Sequence, residues 1–128
     1  TNNYLINNRA NFFWQKLRNF TKNNSMNLTQ EDWVSQLKAD DNSVILDVRT
    51  DAECDEGVIP NSINIDIYLG QGFIAKLEAL DKSKNYYVYC RSGARSAKAC
   101  EVMKSLGFEQ TYNLLGGILG WNGEIVSP

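Results

Sequence analysis

Histidine is absent from all 128 residues. A Cys-His or Ser-His catalytic pair is thereby excluded, as is the usual Cys/His zinc site, and any proton transfer must run without imidazole. No apolar run approaches the length of a membrane span, and no short apolar segment with a cleavage-site pattern is visible, so the chain reads as soluble, without anchor or signal peptide. Cysteine is scarce and odd in number: Cys54, Cys90 and Cys100 lack the close pairing of a zinc or thioredoxin motif. That argues against a bound metal and favours a reducing compartment, expected to be the cytoplasm. There is no internal repeat, and the length and 43% apolar content suit one globular domain with its own core.

The first 25 residues contain no acidic residue. They hold Arg9, Lys16, Arg18 and Lys22 and are +4, whereas the rest of the chain carries nine bases against fifteen acids and is −6. Residues 1–25 therefore read as a basic, Asn-rich arm distinct from a domain at 26–128. The arm has a helix-compatible apolar set at Phe13, Trp14, Leu17 and Phe20, and reads as a packing extension or an appended remnant, with a membrane surface or a partner as further options. Thr1 opens it and Met26 stands at its end as an alternative start.

The most informative stretch is Asn85 to Gly107. Tyr86-Tyr87-Val88-Tyr89 suits a buried strand, and Ala99, Val102, Met103 and Leu106 recur at helical spacing before Gly107, which can take a left-handed cap. Between them lies Cys90-Arg91-Ser92-Gly93-Ala94-Arg95-Ser96. A loop that leaves a strand and feeds a helix turns several backbone N–H groups toward its own centre, and Gly93 lets them approach closely. With Arg91 and Arg95 beside it, such a cradle favours an anion, so Cys90 is expected to react as a thiolate. The plainer alternative is an inert, buried strand-end thiol with two solvated arginines nearby.

The rest of the chain alternates. Thr29-Gln30-Glu31-Asp32 reads as an N-cap with an acid three residues on, opening a helix that carries Trp33, Val34 and Leu37. Ser43-Val44-Ile45-Leu46 is a continuous apolar run that ends in Asp47-Val48-Arg49. An acidic segment follows with Asp51, Glu53, Asp55 and Glu56, then Gly57-Val58-Ile59-Pro60 and the alternation Ile63-Asn64-Ile65. A helix is expected over Phe73–Leu80, a short strand over Thr111–Leu114, and a glycine-rich turn at Gly116-Gly117 leads into a last short helix near Trp121. Strands alternating with helices argue an α/β domain with a mainly parallel sheet, whose sites gather at the carboxyl ends of strands. Cys90 and Asp47-Val48-Arg49 both fall there.

Taken in order, Ile45-Leu46-Asp47-Val48-Arg49, Glu53, Gly57 to Ile65, Cys90 to Ser96 and Asn113 to Trp121 resemble the successive motifs of a single-domain rhodanese over about residues 27–124. The resemblance implies a five-stranded, mainly parallel sheet with helices on both faces. It also implies sulfur transfer: thiosulfate or a persulfide donor gives its outer sulfur to Cys90, and the resulting persulfide passes it to cyanide in an assay or to a cellular thiol. On that reading the N–H groups of Arg91, Ser92, Gly93, Ala94, Arg95 and Ser96 hold the transferred sulfur, and Arg91 or Arg95 binds the sulfonate end of the donor. Asp47 and Arg49 support the loops as an ion pair. No cofactor or metal is called for, and the expected partners are a small anionic donor and a thiol acceptor, with protein sulfur carriers as a further class. A −6 domain around a locally positive loop guides small anions inward and repels acidic partners, so no nucleic acid is expected, and the chain reads as a monomer.

Two other classes compete with this reading. A binding or regulatory module on the same fold usually lacks the cysteine, which is present here. Cys-dependent phosphatases and arsenate reductases place five residues between Cys and Arg, whereas four, Arg91 to Ala94, separate Cys90 from Arg95, a loop that suits one sulfur atom better than a phosphoryl group. The chain departs from the family pattern at Val58, where His is frequent, at Asn61-Ser62, where Gly-Ala is frequent, and at Cys54, where an aromatic is frequent. Cys54 and Cys100 read as core or partly buried thiols, with Cys100 too far along its helix to sit in the cradle.

Overall fold

A computed structural model describes residues 26–128. The basic arm at 1–25, with Phe13, Trp14, Leu17 and Phe20, lies outside the described residues. In chain order the elements are β1 (Asn27–Leu28), α1 (Gln30–Ala39), β2 (Ser43–Asp47), α2 (Asp51–Asp55), β3 (Ser62–Asn64), α3 (Gln71–Glu78), β4 (Asn85–Tyr89), α4 (Ala94–Ser105) and β5 (Gln110–Leu114). Single 3-10 turns stand at Ile67–Leu69 and Ile118–Gly120. The strands form one five-stranded sheet in the order β1-β5-β4-β2-β3. Every pairing in it is parallel.

The two sides of β4 explain how the sheet is covered. Side chains alternate across a strand, so Tyr86, Val88 and Cys90 enter one apolar cluster with Leu46, Val48, Phe73, Leu77, Ala99, Cys100, Met103 and Phe108, under α3 and α4. Tyr87 and Tyr89 enter the other with Trp33, Ile45, Ile59 and Leu114, under α1. Helices therefore lie on both faces, as the resemblance implied. Trp33 is fully buried, and its ring meets Tyr87 and Trp121 edge-on with centroids 5.7 Å away in each case. No helix of the described residues is long and apolar enough to cross a membrane.

Several local expectations shift by a residue or two. The helix expected at Phe73–Leu80 begins at Gln71 and ends at Glu78, and the strand expected at Thr111 starts at Gln110. β1 has no periodicity of its own to read, because its two residues become a strand only by pairing with Asn113 and Leu114. The cap at Thr29 is half a capping box, since its hydroxyl accepts the Asp32 N–H at 3.3 Å. The complete box is in the acidic segment: Thr50 accepts from the Glu53 N–H, and the Glu53 carboxylate accepts from the Thr50 N–H, each at 3.3 Å. That reciprocal pair turns the acidic segment into α2.

The departure at Asn61 also has a physical reason. Its φ of 67° is the only positive value among the described non-glycine residues, and Asn tolerates the left-handed region better than other side chains. A Gly at this position would meet the same backbone demand. Replacing Asn61 by Gly is expected to change stability by no more than a few tenths of a kcal/mol, whereas Asn61→Val costs about 1–2 kcal/mol, both read from urea unfolding curves.

Candidate active site

The site begins with the placement of one sulfur. β4 ends at Tyr89, and Cys90 follows at its carboxyl end, 1% exposed. The chain then turns through Gly93, whose φ of 105° is the left-handed conformation that glycine adopts without strain, and enters α4 at Ala94. The turn directs the Gly93 N–H at the Cys90 sulfur, 3.1 Å away, and brings the Ser96 hydroxyl to 3.2 Å. Burial by itself raises the thiol's pKa. Hydrogen bonds from the Ser96 hydroxyl and from the backbone N–H groups of Ser96, Gly93 and Ser92 outweigh it, leaving Cys90 below its ordinary value.

The loop is roofed by the glycine-rich turn after β5. The Ile118 N–H donates to the Cys90 carbonyl at 2.9 Å, and the Leu119 N–H to the Arg91 carbonyl at 3.1 Å. Gly117 makes that approach possible. A Cβ built there would stand 2.4 Å from the Arg91 carbonyl oxygen and 2.6 Å from that of Cys90. The Gly116-Gly117 turn is thus a close-packing device, as expected, while Trp121 packs partly buried beside Trp33.

The two arginines of the loop have different surroundings. Arg95 reaches back to α2 and holds both Glu53 oxygens, Nη1 to Oε1 and Nη2 to Oε2 at 2.8 Å, with its guanidinium 5.4 Å from the centre of the Tyr68 ring. This bidentate partner holds the Glu53 carboxyl down to about 2. Arg91 is exposed, and among the described residues it forms no ion pair. Ser92 and Ala94 are exposed with it, while Gly93 and Ser96 are buried.

Beside this loop, Asp47 and Arg49 form a buried ion pair, 0% and 4% exposed, with Arg49 Nη2 2.7 Å from Asp47 Oδ2. Arg49 also donates to the carbonyls of Glu53 and Gly57, and Asn64 Nδ2 donates to the carbonyls of Asp47 and Arg49. The pair thereby ties β2, α2 and the segment entering β3 to one another. Cys54 Sγ lies 3.5 Å from Asp47 Oδ2, and burial together with that carboxylate pushes its thiol up to about 12. Cys100 is buried under the sheet and is likewise pushed up to about 12, chiefly by desolvation. Of the three thiols only Cys90 has its anion stabilised.

Two neighbours of the site were not singled out from the sequence for any role in it. Glu53 appears there only as one acid in an acidic run and one motif residue. Asn113, 1% exposed on β5, has its carboxamide oxygen against the Ser96 hydroxyl and its Nδ2 3.1 Å from the Gly93 carbonyl. The T-x-x-E spacing at Thr50 marks Glu53 as a capping residue, but nothing local marks its partner 42 positions later. Away from the thiol, an open groove of about 930 Å³ runs along α1 between Val34, Leu37, Ile59, Pro60 and Trp121. None of the residues expected in the site lines it.

Comparison with known proteins adds the relatives. The model of the rhodanese-like domain matches residues 30–124. YtwF of Bacillus subtilis, which carries a sulfurtransferase name, is 41% identical over 90 residues, 70% of this chain and 82% of that protein. A sulfurtransferase of Allochromatium vinosum is 37% identical over 89 residues, 69% of this chain and 80% of that protein. A tRNA uridine(34) hydroxylase of Legionella pneumophila is 35% identical over 102 residues, and there the match spans only 38% of the relative. Among solved structures, a rhodanese-like domain protein of Staphylococcus aureus superposes with a TM-score of 0.68 at 30% identity, covering 80% of this chain and 97% of that one.

Two outcomes follow from the charges around the loop. Asp47→Ala leaves a guanidinium buried without its carboxylate and is expected to cost about 3–5 kcal/mol, measured by chemical denaturation. For Glu53 the sign is that of a depressed carboxyl: the stabilisation is complete above about 4.5 and is lost as pH falls from there through about 2. The stability advantage of the wild-type protein over Glu53→Gln should therefore shrink across that window in urea titrations, and be constant between pH 6 and pH 8.

Proposed function

The chain belongs to the rhodanese-like domain family, and on that premise we propose that it is a sulfurtransferase that carries sulfur as a persulfide on Cys90. The observation that carries the reading is the Cys90 sulfur at the base of a loop whose N–H groups and one hydroxyl point at it. The two sulfurtransferase-named relatives, each matched over about four fifths of its length, support it.

In the first half-reaction the Cys90 thiolate attacks the outer sulfur of thiosulfate. A new S–S bond forms, the bond to the sulfonate sulfur breaks, and sulfite leaves with the electron pair. In the second half, the acceptor, cyanide or a thiolate, attacks the outer sulfur of the persulfide and the Cys90 thiolate returns. This is a ping-pong scheme with a covalent intermediate. The developing charge sits on sulfur at each stage, which is where the loop's donors converge.

The surroundings support a division of the loop's tasks. Arg91, exposed and without an ion-pair partner among the described residues, is the side chain for the sulfonate end of the donor. Arg95 is a brace, because both of its terminal nitrogens are held by Glu53. Asp47 and Arg49, paired with each other, are braces of the same kind. With Cys90 1% exposed, the transferred group must be small, a single sulfur atom at the end of its donor rather than a tetrahedral phosphoryl group.

Incubating the reduced protein with thiosulfate should add one sulfur atom to Cys90, seen in the intact mass and in its peptide, and cyanide should then remove it as thiocyanate. Cys90→Ser is expected to abolish both steps, while Cys54→Ser and Cys100→Ser, which alter buried thiols held protonated, leave most of the activity. A folded protein that takes no sulfur from thiosulfate or from a persulfide donor overturns the reading.

A further inference from the structure

Asn113 lies behind the site, and its hydrogen bonds run in one direction. A buried carboxamide must find partners for one oxygen and two N–H groups. Its Nδ2 donates to Asn27 Oδ1 on β1 at 2.7 Å and to the Gly93 carbonyl at 3.1 Å. A backbone carbonyl only accepts, so the amide has one workable orientation, with Oδ1 turned to the Ser96 hydroxyl. Ser96, fully buried, thus stands between two groups that can take its hydrogen, Asn113 Oδ1 on one side and Cys90 Sγ at 3.2 Å on the other. It has a single hydrogen to give.

Each state of the sulfur resolves that competition differently. When Cys90 is a thiol, its S–H can donate to Ser96 Oγ while the hydroxyl donates onward to Asn113, and every hydrogen is used. When bulk water or buffer has taken the thiol proton, the anionic sulfur draws the hydroxyl hydrogen to itself and Asn113 Oδ1 releases it. When the sulfur is bonded to a second sulfur it is neutral and has no hydrogen, and the hydroxyl returns to Asn113.

We propose that Asn113 is a positioning residue of the transfer site, its carboxamide oxygen serving as the resting acceptor of the Ser96 hydroxyl and competing with the Cys90 sulfur for that one hydrogen. The assignment rests on Cys90 as the transfer thiol and extends the site from the loop to β5 and, through Asn27, to β1. It has a signed consequence. Ser96 supports the anionic sulfur, whereas Asn113 supports the uncharged one, so their removal acts in opposite directions.

The test is the pH dependence of Cys90 alkylation by iodoacetamide in the full chain, followed on the Cys90 peptide by mass spectrometry. Ser96→Ala should move the midpoint upward. Asn113→Val should move it downward by about half a pH unit, about threefold in thiolate fraction near neutrality, and should have no such effect in the Ser96→Ala background. A midpoint that rises or stays put in Asn113→Val, or a shift of equal size without the Ser96 hydroxyl, overturns the proposal. Asn27 is exposed and its side chain only anchors the amide, so Asn27→Ala should give a smaller shift of the same sign. Should Asn113→Val fail to fold, the sign of Asn27→Ala decides, downward in support and unchanged or upward against. Sulfur loading on the same proteins keeps the two readings apart. Midpoints that move as stated in a folded protein that no donor loads end the transfer function and leave Asn113's role intact, and a loading protein with midpoints of the wrong sign does the reverse.

Discussion

A guanidinium taken out of water is tolerated only where its donors are used, and Arg49 is held in that way. It binds Asp47 through Nε and Nη2, and it donates to the Glu53 and Gly57 carbonyls from the two ends of the fork. Its planar geometry makes those bonds simultaneous, which an ammonium on the same stem would not achieve. The consequence reaches the Cys90 sulfur in two steps. Fixing the Glu53 backbone fixes α2, and the Glu53 side chain on α2 holds Arg95 by both oxygens. Arg95 lies in the first turn of α4, next to Ser96, one of the donors around Cys90.

This arrangement separates charge that braces from charge that is available. Arg49 and Arg95 are each held by a carboxylate, whereas Arg91 forms no ion pair among the described residues. The field at the Cys90 sulfur comes instead from backbone N–H groups and the Ser96 hydroxyl, which the fold holds in place. The three cysteines show how far surroundings decide reactivity. Cys54 faces a carboxylate and Cys100 faces the apolar core, and both are held protonated. Cys90, more buried by exposure than Cys54, is the one with the lowered pKa, because its donors outweigh its desolvation.

The turn at Gly116-Gly117 has a matching part on the other side of the loop. Its amides at Ile118 and Leu119 cap the carbonyls of Cys90 and Arg91. Gly117 is required because the two backbones meet at a separation no side chain can enter.

Local pattern was sufficient for the strand–loop–helix unit around Cys90, for the apolar run of β2 and for the glycine-rich turn, since each rests on short-range rules of periodicity, capping and close approach. The absence of histidine and the spacing of Cys90 and Arg95 likewise narrowed the chemistry before any contact was known. β1 was not legible, because two residues have no period and owe their conformation to the edge of β5. The different surroundings of Arg91 and Arg95 were equally hidden, since both are arginines of one loop and only the position of Glu53, on another segment, tells them apart. In the sequence Asn113 stands out only as one residue of a turn motif. Its place against Ser96 depends on the register of β5 beside β4, and a register is decided by the whole sheet, not by any segment within it.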